Sequence, residues 1–337
     1  MNAVTHDSSS TPIEVGLDDG YATTKIALSA GRVFSVPSRA RVGAAAVTSL
    51  NETRPSVREY ETGGRRYAAG ALDGESTRFD DYPFSDLNRV IVQHALQEVA
   101  LDGCRLHVVS GLPVSAFYHA MGARREDVIA RKVANLLTPV EPIDGRPQAM
   151  VVAHDVIPEA LAAWYDHVIS EEADGARVDE AQMRLPMGVI DIGGRTTDFV
   201  VVEDQCVIHR ASGSLRCGIL DVKQRVGEAL RARFALEEIG ERTVEDGMDR
   251  RAVRLFGQSH DIADLVDAAL SEIVQIIYGE TRRQLGRGAE LERVLFVGGG
   301  AVALAAQIRD WFPNQMIAPM PAFANARGMF KYQRYIA

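Results

Sequence analysis

Two stretches of this chain share one layout. "GLDDGYATTKIAL" (Gly16 to Leu28) and "VIDIGGRTTDFVV" (Val189 to Val201) each set two apolar strand segments around a turn that is acidic, glycine-bearing and rich in hydroxyls. In register, Asp18 falls on Asp191, Gly20 on Gly193, Thr23 on Thr196 and Thr24 on Thr197, every pair 173 residues apart. A repeat of this kind means that each half of the chain opens its core with a similar hairpin. The 337 residues suffice for two lobes of ordinary size.

The rest of the pattern is that of an α/β chain. Strand-like runs fall at Ile13 to Leu17, Lys25 to Leu28, Leu106 to Val109, Gly188 to Asp191, Phe199 to Val202 and Val294 to Val297. Helical spacing of apolar residues marks "SDLNRVIVQHALQEVAL", with Ser85 or Asp86 as N-cap, and a long helix from Asp261 to Leu285. His94 and His119 are read as packed or surface residues without a role. Residues 1–12 read as a disordered tail, and the turn-rich stretch at 47–75 as an elaboration of the framework.

Charge narrows the partners. With 46 acidic against 37 basic residues the net charge is −9, which disfavours direct attachment to nucleic acid. No apolar run is long enough to span a bilayer, the start of the chain does not read as a secretory signal, and the three cysteines lack metal-ligand spacing. The expectation is a cytoplasmic protein with no membrane partner.

The hairpins carry the parts that a metal-bound triphosphate needs. Gly20, Gly193 and Gly194 let backbone approach a phosphate, while Thr23, Thr24, Thr196 and Thr197 offer hydroxyls. Lys25 offers a point charge, and Asp19 and Arg195 sit in the turns beside them. Asp18 and Asp191, at strand ends, would repel phosphate unless Mg²⁺ or its waters lay between, so both are assigned to the metal, through water. "VLFVGGGAVAL" adds a strand entering a helix through Gly298, Gly299 and Gly300, suited to packing against a nucleoside.

This ordered set resembles the actin-like ATPase superfamily of actin, Hsp70 and sugar kinases, and within it most closely the ParM/StbA plasmid-segregation family. "DDGYATTK" and "VIDIGGRTTD" resemble the two phosphate motifs, and "SGLPVSAFY" (Ser110 to Tyr118) the domain I strand and loop. "ARKVANLL" resembles the segment after it, "VIPEALAAW" (Val156 to Trp164) the first connecting helix, and "NARGMFKY" (Asn325 to Tyr332) the C-terminal helix. Tyr21 and Ala22 depart from the smaller or more polar residues common in the first turn, and Arg195 from the second.

The resemblance implies an actin-like fold of two RNase H-like lobes around a nucleotide cleft. Domain I would take 13–160 plus 310–337, and domain II 161–309. It implies ATP, or alternatively GTP, with Mg²⁺. Glu159 falls where the family keeps the carboxylate that orients the attacking water, and Asp191 on a metal-linked aspartate needed for hydrolysis. By the residues alone, Pro158-Glu159 reads as a surface helix start. The implied function is a filament-forming ATPase, assembling head to tail with itself and segregating plasmid DNA through a ParR-like adaptor bound to a plasmid centromere. A small-molecule kinase of the same superfamily is the alternative.

Overall fold

The computed structural model describes residues 11–45, 57–71, 74–172 and 175–337. The first ten residues of the expected tail and part of the turn-rich stretch at 47–75 lie outside the described residues.

Two sheets of one design make the framework. In the first, strand Ile13–Asp19 pairs antiparallel with Thr23–Ala27 and parallel with Arg105–Leu112, and Val33–Pro37 and Met150–Pro158 complete the sheet on either side. In the second, Met187–Ile192 pairs antiparallel with Thr197–Glu203 and parallel with Arg293–Val297, which in turn pairs with Gln315–Ile317. The hairpin registers match as the repeat demands: Asp18 faces Lys25, and Asp191 faces Asp198.

Burial explains the strand sequences. All six residues of Met187–Ile192 are buried, as expected of an inner strand covered on both faces, and the segment reads "MGVIDI" with Asp191 as its one polar residue. Helices cover the sheets. Asp86–Glu98 begins at Ser85, whose hydroxyl accepts a bond from the Asn88 amide at 3.2 Å. The 23-residue helix Ala263–Leu285 turns Val266, Ala269, Leu270, Ile273 and Ile277 into the core of the second lobe.

The C-terminal helix, Ala324–Tyr335, returns to the first lobe and packs on strand Ile13–Asp19 and on helix Leu161–Val168. Its grip is partly ionic: Arg327 lies 2.5 Å and Lys331 2.7 Å from the buried carboxylate of Asp166. Strand Gln315–Ile317 falls within the stretch allotted to domain I by sequence, yet it hydrogen-bonds into the second sheet. The chain therefore re-enters the first lobe later than residue 310.

A second difference concerns Glu159. The strand at Met150–Pro158 continues through Pro158, and the helix starts only at Leu161. Glu159 and Ala160 form the turn between them, and Ala160 holds φ 61°, ψ −41°, a strained conformation for a residue with a Cβ.

Candidate functional site

The two hairpins, the Glu159–Ala160 turn and the start of the glycine-rich helix converge on one acidic cavity between the lobes. Asp18, Lys25, Glu159, Asp191, Gly193 and Thr196 line it, with Gly20, Gly194, Gly298 and Gly299 supplying backbone. Asp18 accepts a 3.0 Å ion pair from Lys25. Asp191 accepts a 2.6 Å hydrogen bond from the Asn325 amide, and Asn325 Oδ1 accepts at 3.1 Å from the backbone N–H of Ala160. One side chain of the C-terminal helix thus ties the metal-assigned aspartate to the turn that bears Glu159.

Close packing holds these groups in place. Gly298 sits at φ 88°, and a Cβ there would lie 2.3 Å from Asp191 Oδ1 and 2.4 Å from the Ile192 carbonyl. A Cβ on Gly111 would lie 2.7 Å from Glu159 Cγ. Only glycine fits at Gly298, whereas a side chain at Gly111 would push against Glu159 and Met329. The second turn is fixed from behind: the first amides of helix Ile219–Phe234, at Ile219 and Leu220, donate to the carbonyls of Gly193 and Gly194 at 3.1 and 2.8 Å.

Carboxylates outnumber cations here. Burial, then the charges of Asp198, Asp18, Asp191 and Asp19, push the Glu159 carboxyl well above the ordinary range. Burial, then Asp18 and Asp198, raise Asp191 to about 7 against the Asn325 hydrogen bond and Lys25, which pull it down. Asp198 is raised too, chiefly by burial. Burial opposes the charge on Lys25, but Asp18, Asp191 and Glu159 together raise its pKa above the usual value.

Not every residue chosen from sequence faces this cavity. Asp19 borders the cavity, but its carboxylate is held from the first lobe, where the buried Lys132 ammonium contacts it and Asn88 donates to it at 2.7 Å. Thr24 bonds Ser38 at 3.2 Å and Thr197 donates to the Cys217 carbonyl at 2.8 Å; both are fully buried. Gly300 packs on Ile192 beneath the cavity, and Thr23 pairs with Pro37 at the outer side of the first sheet. Strand geometry is the reason: neighbouring side chains point to opposite faces.

Arg195 is also corrected. Its guanidinium crosses to the first lobe, donating to the Arg78 carbonyl at 2.8 Å and to Asp80 at 2.7 Å, with the Tyr21 ring centroid 5.7 Å away. The sequence reading missed Asp198 and Asn325. Asp198 accepts from the Val114 backbone N–H at 2.9 Å and from the Ser214 hydroxyl, so the "SGLPVS" loop of the first lobe is bonded to the second hairpin. The repeat itself was the signal, since Asp198 falls in register with Lys25.

The donor set fits a nucleotide carrying its own divalent cation. Among the described residues no group of three or more His, Cys, Asp or Glu is placed to hold an ion directly. Mg²⁺ commonly keeps waters and takes one or two carboxylates plus substrate phosphates, which is what Asp18 and Asp191 beside two glycine turns can offer.

A two-lobed sheet-and-helix fold with paired phosphate-type hairpins defines an actin-like protein. The N-terminal domain of plasmid segregation protein ParM (StbA) matches residues 13–169, and the C-terminal domain of archaeal MreB-like actin homologues matches 189–310. The chain has the actin-like fold, and its N-terminal part is similar to the N-terminal domain of the ParM/StbA family. No curated protein matches it in sequence. Among solved structures, an archaeal actin homolog shares 19% identity at a TM-score of 0.72, covering 96% of this chain and 99% of the homolog. A 15-stranded ParM filament from Clostridium botulinum gives 17%, 0.76, 96% and 99% for the same measures, and an apo psk41 ParM 16%, 0.64, 96% and 98%. The archaeal homolog is also known in complex with ADP, at a TM-score of 0.70 and 19% identity, covering 96% and 99%.

Proposed function

We propose that this chain binds ATP, or GTP in its place, with Mg²⁺ between its lobes, hydrolyses it, and assembles head to tail into filaments that segregate plasmid DNA in the cytoplasm. The observation that carries this reading is the meeting of the two repeated hairpins at one acidic cavity, with Glu159 and Asp191 held on either side of Asn325. Asp18 and Asp191 hold the metal through water. Bound Mg²⁺ offsets phosphate charge and makes the carboxylate surplus favourable.

Each residue then has a task. The amides of Gly20 and Gly194 and the Thr196 hydroxyl contact phosphates, Gly193 closes the turn by donating its N–H to the Thr196 carbonyl at 2.8 Å, and Gly298–Gly299 lies toward the nucleoside. Glu159 orients the attacking water and accepts its proton once a bound cation has lowered its pKa. Gripping one ligand from both lobes ties closure to subunit shape, so ends match best in one nucleotide state. The net charge of −9 assigns DNA contact to a ParR-like basic adaptor on the plasmid centromere.

The test is phosphate release measured together with sedimentation, with Mg²⁺ and ATP, GTP or ADP. Turnover that tracks assembly supports the reading. Transfer of phosphate to an added alcohol by a protein that stays monomeric would establish the kinase alternative instead.

A further inference from the structure

The two lobes are joined across the cleft by side chains as well as by the chain itself. Residues 77–80, a short way before helix Asp86–Glu98, are bonded to both. On the first-lobe side the Thr77 hydroxyl donates to the Tyr21 carbonyl, in the first hairpin turn, at 2.6 Å. From the second lobe Arg195, in the second turn, donates to the Arg78 carbonyl at 2.8 Å and pairs with Asp80 at 2.7 Å, and Arg216 pairs with the same carboxylate at 3.0 Å. Arg78 crosses in the other direction. Its guanidinium pairs with Asp221 at 2.6 Å, donates to the Leu220 carbonyl at 3.3 Å and bonds Gln224, all near the start of helix Ile219–Phe234. Arg39 of the first lobe adds a further crossing to Glu245, which Lys223 also holds at 2.7 Å.

These pairs stand beside the acidic cavity. Arg39, Thr77, Arg78 and Lys223 line a neighbouring cavity of about 270 Å³, and Tyr21 is a wall of both. The acidic cavity itself measures about 40 Å³, room for a few waters at most and far less than a triphosphate chain with its cation occupies. Lobes held this close must part before such a ligand enters. Exposed ion pairs are weak singly. Here they share partners and span one gap, so they break together when the lobes separate.

We infer that residues 77–80 are a strap that clasps the lobes shut, and that the Asp80–Arg195, Asp80–Arg216 and Arg78–Asp221 pairs part to admit nucleotide. Molecules in the clasped form are closed to the ligand, so entry rate and apparent affinity scale with the share that is open. Arg195, unusual in its turn, contributes its charge to the clasp rather than to a phosphate. The strap rests on the nucleotide-binding reading above and adds to it the step that limits entry.

Stopped-flow binding of a fluorescent, non-hydrolysable ATP analogue with Mg²⁺ to the full chain tests this. Asp80→Ala deletes the partner of Arg195 and Arg216, and Arg78→Ala deletes the contacts to Asp221, Leu220 and Gln224. Arg233→Ala is the control, since it breaks an exposed ion pair with Asp264 inside the second lobe. Asp80→Ala should bind the analogue roughly 2–30-fold faster than wild type, the range that two exposed pairs span, Arg78→Ala at least about twofold faster, and Arg233→Ala at the wild-type rate. A gain in rate is not what a damaged fold produces. The advantage of both strap variants should shrink as salt rises, because salt screens in the wild type the pairs that the substitutions delete. X-ray scattering without nucleotide should give both strap variants a larger radius of gyration than wild type or Arg233→Ala. Entry rates and dimensions equal to wild type in both strap variants overturn the strap alone and leave nucleotide binding in place. A wild-type protein that binds no analogue at any concentration overturns the nucleotide reading, and the role of the strap in entry with it.

Discussion

Asp198 stands in the second hairpin where Lys25 stands in the first. Lys25 faces Asp18 across its hairpin and pairs with it at 3.0 Å, whereas Asp198 faces Asp191, another carboxylate. The repeated framework therefore yields one charge-balanced turn and one that carries two acids in buried surroundings. That asymmetry places the demand for a cation on the Asp191 side of the cleft.

Replacing Asp191 should have opposite effects on function and on the empty fold. Asp191→Asn removes metal-dependent nucleotide binding or turnover. A carboxyl raised to about 7 in the folded state stabilises fully only below its unfolded value near 4, and that stability is lost as pH rises through about 7. The nucleotide-free wild type should thus lose melting temperature between pH 5 and pH 8. Asp191→Asn should flatten that slope and raise stability at pH 8 by on the order of 1–4 kcal/mol. Thermal melts at the two pH values, without and with Mg²⁺ and nucleotide, check both halves.

Glu159→Gln should keep nucleotide and slow its hydrolysis by roughly 10²–10⁴-fold, the range for a general base. Single-turnover phosphate release separates this from weaker binding. A variant that loses affinity while its rate constant stays put would take Glu159 out of the chemical step.

Asn325 offers a test of positioning. Its amide reaches Asp191 at 2.6 Å and the Ala160 backbone at 3.1 Å, so Asn325→Ala frees both. We expect kcat to fall by roughly tenfold or more, because displacements of about 1 Å around reacting groups are that costly. The Asp191-dependent pH slope should also shift upward, since a hydrogen bond that favours the charged form is gone. An unchanged slope would mean that the contact is only structural.

Lys132 is buried beside Asp19, with Asn88 completing the cluster. Lys132→Met leaves a buried carboxylate without its partner and should cost about 3–5 kcal/mol. Adding Asp19→Asn should recover part of that loss. Denaturant titrations of the single and double variants measure the coupling; purely additive losses would show that the pair is not coupled.

The hairpins were legible because their residues lie close in sequence; five of the six expected strands fall within observed ones, and the sixth, Lys25 to Leu28, runs one residue past the strand end at Ala27. What failed was a rule of strand geometry applied too loosely. Asp18 and Asp19, like Thr196 and Thr197, are neighbours, so their side chains point to opposite faces. Asp19 turns its carboxylate to Lys132 and Asn88, Thr197 bonds the Cys217 carbonyl, and neither Thr23 nor Thr24 lines the cavity. Asn325 was hidden for another reason: it is 134 residues from Asp191, and only the return of the C-terminal helix brings them together. The partner of Arg195 was equally non-local, since Asp80 belongs to the opposite lobe.

Electron microscopy of the purified protein with Mg²⁺ and ATP, paired with phosphate release from the same sample, tests the central claim most directly. The account predicts filaments that form with Mg²⁺ and ATP, persist in Glu159→Gln, and shorten as wild-type protein converts its nucleotide to the diphosphate. Protein that stays monomeric with and without nucleotide at concentrations far above those that assemble other filament proteins, with or without turnover, would contradict it.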